Sequence, residues 1–174
     1  MNAVLALKKN VYVQIPATVV TISLMIGLPF LVHLVPPVGG TQVGAILLPV
    51  FYAPLAAVFL FHPAVSIVAA VLAPYINHLV TGRPTLELAS TLGVEVLAFS
   101  GVLLALHRRN IYTVWAVPAA YLLAKIASGA LSFVVTPGYS LTQWTGSIPA
   151  ALPGMLILSI LYALMSRATK DEGK

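Results

Sequence analysis

The chain has 174 residues, of which 60% are hydrophobic and only 7% are Asp, Glu, Lys or Arg. A soluble domain carries about a quarter of its residues as those four types, so a water-soluble fold is excluded. The net charge of +5 does not indicate a nucleic-acid-binding face, because the basic residues lie at the chain ends and in one short loop. The absence of cysteine excludes disulfides and a thiolate metal site. We expect one membrane-embedded domain over residues 1–174, surrounded by the lipid bilayer.

Six apolar segments have the length of a transmembrane helix, which needs about 20 residues to cross the hydrocarbon core. Proline or glycine lies at most of the boundaries between them, as at Gly82 and Pro84. The sequence therefore predicts an all-α membrane protein with six transmembrane helices. The predicted spans are Val13–Val35, Gly44–Phe61, Ala64–Val80, Leu86–Leu106, Tyr112–Val135 and Gly146–Ser166.

The distribution of positive charge orients these spans. Seven of the nine Lys and Arg residues lie on one side of the predicted topology, Arg83 lies on the other, and Lys125 lies within a span. Cytoplasmic loops carry an excess of Lys and Arg. Both termini are therefore predicted to be cytoplasmic, and the longer loops at 36–43, 81–85 and 136–145 to face outward. The N-terminal apolar run is too long for a signal peptide and is interpreted as a retained first helix.

Two residues of opposite charge, Glu95 and Lys125, lie deep within the fourth and fifth spans. An ionised side chain at hydrocarbon depth costs several kcal/mol, usually faces a bundle interior and usually marks a function. At 1.5 Å per residue, both lie about 14–15 Å from the outer ends of their spans, so antiparallel neighbours would bring them together. The pair either lines a cavity open to the outside or only sets the register of two helices, although buried pairs rarely add net stability.

Further polar candidates lie near the outer ends of the spans. Tyr75 and His78 are three residues apart and can share a helix face, whereas Asn77 points about 100° away from His78. An interfacial histidine bonded to a carbonyl is the alternative role for His78, and a membrane-interface anchor is the alternative for Trp144. With Glu95 and Lys125, the candidate substrate-binding residues are His78, Asn77, Tyr75, Arg83, Tyr52, Gln42, Trp144 and Gln143.

The usual catalytic motifs are missing from the chain. HExxH, GxSxG, a P-loop and paired acidic motifs do not occur, and Glu87 and Glu95 are the only carboxylates in or beside a span. The four histidines divide between the two faces of the predicted topology, so a metal site is not expected. No catalytic residue is predicted, and an enzyme is not favoured.

Proline, glycine and charged motifs follow one another in a particular order from the second span to the sixth. They are Leu47-Leu48-Pro49 with Pro54, Leu72-Ala73-Pro74 through Leu79-Val80-Thr81-Gly82-Arg83-Pro84, Glu95, Lys125-Ile126-Ala127-Ser128-Gly129 and Leu152-Pro153-Gly154. Their order and spacing resemble the substrate-binding S component of energy-coupling factor (ECF) transporters, which are ABC-type importers. The match covers most of the chain.

The resemblance implies a fold, a ligand and partners. It implies six helices in a bacterial or archaeal cell membrane, with a vitamin or related micronutrient bound near the outer face. The implied partners are a membrane coupling subunit and two cytoplasmic ATPases, which import the ligand at the expense of ATP. The chain itself would hold no cofactor, because ATP is used by the partner subunits.

Three hypotheses for the function are left open by the sequence. In the first, Glu95 and Lys125 form the floor of a ligand cavity, with His78, Asn77 and Arg83 at its mouth. In the second, the chain is a stand-alone small-molecule carrier or channel, and the charged pair relays protons or ions. The third is a small membrane enzyme or an assembly scaffold. Copurification of a coupling subunit and ATPases favours the first hypothesis, whereas a homo-oligomer alone favours the others.

Overall fold

The computed structural model describes residues 10–171, and the predicted all-helical architecture is confirmed over that range. Lys8, Lys9 and Lys174, which contribute to the predicted orientation, lie outside the described residues. A 3₁₀ turn over Pro49–Phe51 interrupts the series of α-helices. The helices are α1 (Val11–His33), α2 (Val43–Leu47), α3 (Tyr52–Leu60), α4 (Pro63–Thr81), α5 (Leu86–Arg108), α6 (Ala116–Val135), α7 (Leu141–Ala150) and α8 (Leu152–Asp171).

Five of these helices, α1, α4, α5, α6 and α8, are long and apolar enough to cross a membrane. Large hydrophobic side chains on them are not covered by protein, as Val19, Leu79 and Val134 illustrate. An extended exposed apolar surface marks contact with a membrane or another protein. The fold is therefore compatible with a multi-pass membrane protein.

The second predicted span, Gly44–Phe61, is not one continuous helix. α2 ends at Leu47. The next residue, Leu48, has a φ of 55° in the left-handed region, and the 3₁₀ turn begins at Pro49. A proline disfavours the right-handed α conformation in the residue before it, which explains a break at this position. The Tyr52 hydroxyl donates a hydrogen bond to the Leu47 carbonyl, which has lost its helical partner at the break.

The last predicted span, Gly146–Ser166, also differs from the structure, because two helices meet inside it at Ala151. The first of them, α7, begins at a capping box. The Gln143 N–H donates to Ser140 Oγ at 3.3 Å, and the Ser140 N–H donates to Gln143 Oε1 at 3.0 Å. No residue of α7 is buried, so α7 is a separate surface helix that precedes α8.

The loop between α4 and α5 carries the caps of both helices. Gly82 ends α4 with a φ of 71°, a conformation that glycine adopts without strain. Thr85 begins α5, since its hydroxyl accepts a hydrogen bond from the Leu88 N–H at 3.4 Å. This short connection makes α4 and α5 antiparallel neighbours. The 82–85 loop defines one end of the bundle.

Two long-range hydrogen bonds locate the first and last helices at the opposite end. The His62 N–H donates to Gln14 Oε1 of α1 at 3.0 Å. The Tyr162 hydroxyl of α8 donates to the Ile111 carbonyl at 3.0 Å. Because His62 precedes α4 and Ile111 follows α5, both bonds lie at the end away from the 82–85 loop. The described chain therefore begins and ends at the same end of the bundle.

Aromatic side chains and one glycine hold the broken segment in the core. The Phe51 ring contacts the rings of Phe99 and Tyr121 edge-on, with centroid distances of 4.8 and 5.8 Å. Gly154 of α8 lies directly against the break. A Cβ atom at Gly154 would come within 2.7 Å of the Ile46 carbonyl oxygen, so this close packing requires glycine.

Candidate functional site

Glu95 of α5 and Lys125 of α6 form an ion pair inside the bundle. Lys125 Nζ lies 3.1 Å from each carboxylate oxygen of Glu95. The Ser128 hydroxyl donates to Glu95 Oε2 at 3.0 Å. The Glu95 side chain is 8% exposed and the Lys125 side chain 18% exposed. The predicted meeting of these two charges across neighbouring helices is confirmed.

The surroundings of the pair compensate for the loss of water. The Tyr121 ring lies beneath the ammonium group, with its centroid 5.6 Å from Lys125 Nζ. A cation is attracted to the face of an aromatic ring at this distance. Two opposite charges and one hydroxyl donor thus satisfy one another at a depth where an unpaired charge would be costly. The pair as a whole carries no net charge.

Trp144 of α7 covers this region of α6. Its indole Nε1 donates a hydrogen bond to the Lys125 carbonyl at 2.9 Å. The indole rests against Gly129, where an added Cβ atom would lie 2.6 Å from Trp144 Cδ1. Trp144 is therefore docked on the helix that carries Lys125, instead of lying free at the surface as a simple anchor would.

A cavity of about 900 Å³ lies near the 82–85 loop, between α1, α4, the broken segment and the first turns of α5. Ligand sites in proteins have volumes of about 300–1,000 Å³ and are mostly apolar with a few polar groups. This cavity has the same character. Its lining is mostly apolar, and its polar and charged residues are His33, Gln42, Asn77, Thr81 and Arg83.

The charged pair is not part of the lining of this cavity, although the first hypothesis placed it at the floor. Leu88 and Leu92 of α5 line the cavity. Glu95 lies one helical turn beyond Leu92. It is on nearly the same face of α5 as Leu88, about 20° away around the helix axis. Its carboxylate is held by Lys125 and Ser128 on α6. The cavity and the ion pair are therefore two distinct sites, one turn of α5 apart.

The structure brings some of the predicted site residues to the cavity and leaves others out. Gln42, Asn77 and Arg83 line it. His78 does not, because its Nδ1 donates to the Pro84 carbonyl at 2.7 Å. That contact matches the alternative role of a histidine bonded to a backbone carbonyl. A carbonyl can only accept, so Nδ1 carries a hydrogen.

Tyr75, Tyr52 and Gln143 make contacts that organise the fold. The Tyr75 hydroxyl donates to Ser90 Oγ at 3.3 Å and so links α4 to α5. The Tyr52 hydroxyl bonds the Leu47 carbonyl at the helix break, and Gln143 belongs to the capping box of α7. None of the three lines the cavity near the 82–85 loop.

Several residues of the two sites were not predicted from the sequence. Ser128 follows Lys125 by three residues and so shares its helix face, a spacing that could have identified it. His33, Thr81 and Gly27 line the cavity. No comparable pattern marks these three, because their proximity depends on how α1 packs against α4.

Comparison with known proteins returned nothing: no protein-family model matches the chain, and no curated protein or solved structure matches it. The structure alone defines the class of protein. It is all-helical over the described residues, it has five helices of spanning length, and it contains a ligand-sized cavity near one end of the bundle.

Proposed function

We propose that this protein is a membrane-embedded binding subunit for a vitamin-sized solute, of the kind that serves as the S component of an ECF transporter. The cavity near the 82–85 loop is the observation that carries the proposal. Its volume of about 900 Å³ and its mostly apolar lining match a site for a small organic molecule. Gln42, Asn77 and Arg83 would orient the ligand.

In this proposal the chain crosses the membrane six times. The described chain begins and ends at the same end of the bundle, so its number of membrane crossings must be even. Five helices have spanning length, and the broken segment over 43–60 would make the sixth crossing. Irregular backbone at membrane depth is tolerated where protein or a cavity covers it. Two residues of the break, Pro49 and Val50, line the cavity, in agreement with that rule.

The orientation follows from the basic residues. Arg108 and Arg109 close α5, and Arg167 lies beyond Tyr162 on α8, so all three lie at the end away from the 82–85 loop. The excess of positive charge would place that end, and with it both termini, in the cytoplasm. The cavity would then open to the outside of a bacterial or archaeal cell.

The proposed transport cycle needs partner subunits. The ligand would enter the cavity from outside, and a membrane coupling subunit with two cytoplasmic ATPases would drive its release into the cell. ATP would be bound and hydrolysed by the ATPases alone. The resemblance of the Leu47-to-Gly154 motif series to S components supports this assignment.

Purification from cells grown in rich medium tests the proposal. Native mass spectrometry should detect a small molecule bound to the protein, and a coupling subunit and ATPases should copurify in mild detergent. A protein that carries no solute from any medium, and that copurifies with no ATPase, would contradict the assignment.

A second candidate function is a stand-alone carrier that uses the ion pair as a proton or ion relay. One observation favours it: buried polar residues follow the α5–α6 contact from the pair toward the 82–85 end, and they are Thr91, Ser128 and Ser132. Proteoliposomes that contain this protein alone distinguish the candidates. A carrier would take up substrate when an ion gradient is imposed, and Glu95→Gln would lose that uptake. A binding subunit alone would show no gradient-driven uptake.

A further inference from the structure

We infer that the cavity near the 82–85 loop selects an organic anion, meaning a molecule that carries one negatively charged group on an apolar body. This inference rests on the proposed ligand-binding function and specifies the chemical class of the ligand. Among residues 10–171, Arg83 is the one lining residue of fixed charge, and no Asp or Glu of that range belongs to the lining. An anion would therefore find a complementary charge in the cavity, and a cation would find none.

The backbone of Arg83 is fixed beside the cavity by Thr81. The Thr81 hydroxyl lies 2.7 Å from the Arg83 carbonyl oxygen, and the Arg83 N–H donates to Thr81 Oγ1 at 3.2 Å. On the Arg83 side these contacts use only main-chain atoms, so they do not engage the guanidinium group. Arginine presents a planar array of donors that matches a carboxylate or phosphate group, so it suits an anionic ligand.

No acidic side chain within residues 10–171 neutralises Arg83. The ion pair between Lys125 and Glu95 is the only one among those residues. Glu87 is exposed in the first turn of α5, a position where a carboxylate stabilises the helix dipole, and it is not among the lining residues. The nearby Glu95–Lys125 pair is neutral as a whole and does not reverse the preference.

The remaining lining combines two neutral amides with many hydrophobic side chains. Asn77 and Gln42 add neutral amides, each of which can donate a hydrogen bond to an anion. The rest of the lining is mostly hydrophobic and includes Met25, Pro29, Phe30, Val50, Leu88 and Leu92. A charged group placed among those hydrophobic residues would lose its hydration without compensation, so the ligand body should be apolar and its anionic group should lie beside Arg83.

Two indole derivatives of similar size and opposite charge test the charge preference of the cavity. We would reconstitute the protein in phosphatidylcholine nanodiscs and measure binding of indole-3-propionate and tryptamine by saturation-transfer NMR. A hydrogen bond to a charged group contributes about 1.5–3 kcal/mol, so Arg83→Gln should weaken indole-3-propionate binding by about tenfold or more. Arg109→Gln removes an exposed arginine at the other end of the bundle and should leave binding unchanged. Gly27→Phe fills the cavity and should abolish binding.

A second arm identifies the source of the anion. Nanodiscs with and without phosphatidylglycerol would be analysed by native mass spectrometry for a retained lipid. A phosphatidylglycerol adduct that Arg83→Gln removes, without probe binding, would support the anion preference but assign the cavity to a membrane lipid, against the proposed solute-binding function.

Two outcomes would overturn the inference. The first is equal binding of tryptamine and indole-3-propionate, or binding of either that Arg83→Gln leaves unchanged while Gly27→Phe abolishes it. In that case the cavity binds solutes, and the proposed function survives without the charge preference. The second is the absence of any Arg83-dependent anion in both arms.

Discussion

The Trp144 indole lies against Gly129, and its Nε1 donates a hydrogen bond to the carbonyl of Lys125 at 2.9 Å. This contact joins the surface helix α7 to α6 at the level of the charged pair. It depends on the missing side chain of Gly129, because a Cβ atom there would overlap the indole ring. Lys125 is thus held by Glu95 through its side chain and contacted by Trp144 at its backbone.

Gly129→Ala should displace Trp144 from α6. The chain contains two tryptophans, so the measurement uses a Trp115→Phe background, where Trp144 is the remaining emitter. We expect its fluorescence to shift to longer wavelength as the indole becomes more exposed. Overpacking of this kind also costs about 1–3 kcal/mol of stability. Gly101→Ala is the matched control, because a Cβ atom at Gly101 meets nothing within 4 Å. An unshifted spectrum for Gly129→Ala would disprove the docking of Trp144.

The Glu95–Lys125 pair should behave as a coupled unit. Removing one partner leaves a buried charge without compensation, which costs about 3–5 kcal/mol, so Glu95→Gln and Lys125→Met should each be strongly destabilising. The double variant should recover most of that loss, because no unpaired charge remains. Unfolding in detergent, analysed as a double-mutant cycle, measures the coupling. Additive losses in the double variant would show that the two charges do not interact.

Gly154→Ala should destabilise the packing of α8 against the helix break. The new methyl group would approach the Ile46 and Leu47 carbonyls to within 2.7–2.8 Å, and backbone atoms cannot move aside cheaply. We expect a loss of about 1–3 kcal/mol, read as a lower unfolding temperature. Gly146→Ala serves as the control, since its Cβ would meet nothing within 4 Å. Equal unfolding temperatures for the two variants would contradict the close packing.

Single cysteines can test whether the broken segment crosses the membrane, because the natural chain contains none. Pro36→Cys and Ala64→Cys lie on either side of that segment and both positions are exposed. A membrane-impermeant maleimide should label Pro36→Cys in intact cells and Ala64→Cys only after permeabilisation. Labelling of both positions from the same side would show that 43–60 returns without crossing, and the six-span topology would fail.

The helices of four predicted spans, and the ion pair, could be predicted from the sequence because they depend on local patterns. The fourth predicted span, Leu86–Leu106, agrees with α5 within two residues. An unpaired charge is costly in an apolar environment, so Glu95 and Lys125 were expected to form a pair. Their equal depth on neighbouring antiparallel helices placed the two side chains within reach of each other.

The helix breaks and the place of the cavity among the helices were not predicted, although Gln42, Asn77 and Arg83 were named as binding candidates. Leu48 before Pro49 is a local signal for the first break, and the Ser140–Gln143 capping box is a local signal for the start of α7. The hydrophobic pattern obscured both breaks, because apolar residues continue through Leu48 and through Ala151. The cavity has no such signal. It arises where α1 packs against α4 and the broken segment, and Gly27 lines it because of that packing alone. The expectation of a floor made by Glu95 assumed a cavity directly above the pair, whereas the structure directs the carboxylate to α6.

The most direct test of solute binding is to fill the cavity from Gly27. Gly27 lines the cavity and a Cβ atom there meets nothing within 4 Å, so Gly27→Phe introduces a large side chain at an open position of the cavity wall. Gly101→Phe makes the same change at an open position on α5 that does not line the cavity. Native mass spectrometry of the three purified proteins should show a bound solute in the natural protein and in Gly101→Phe, and none in Gly27→Phe. Retention of the same solute by Gly27→Phe at undiminished occupancy would contradict binding in this cavity.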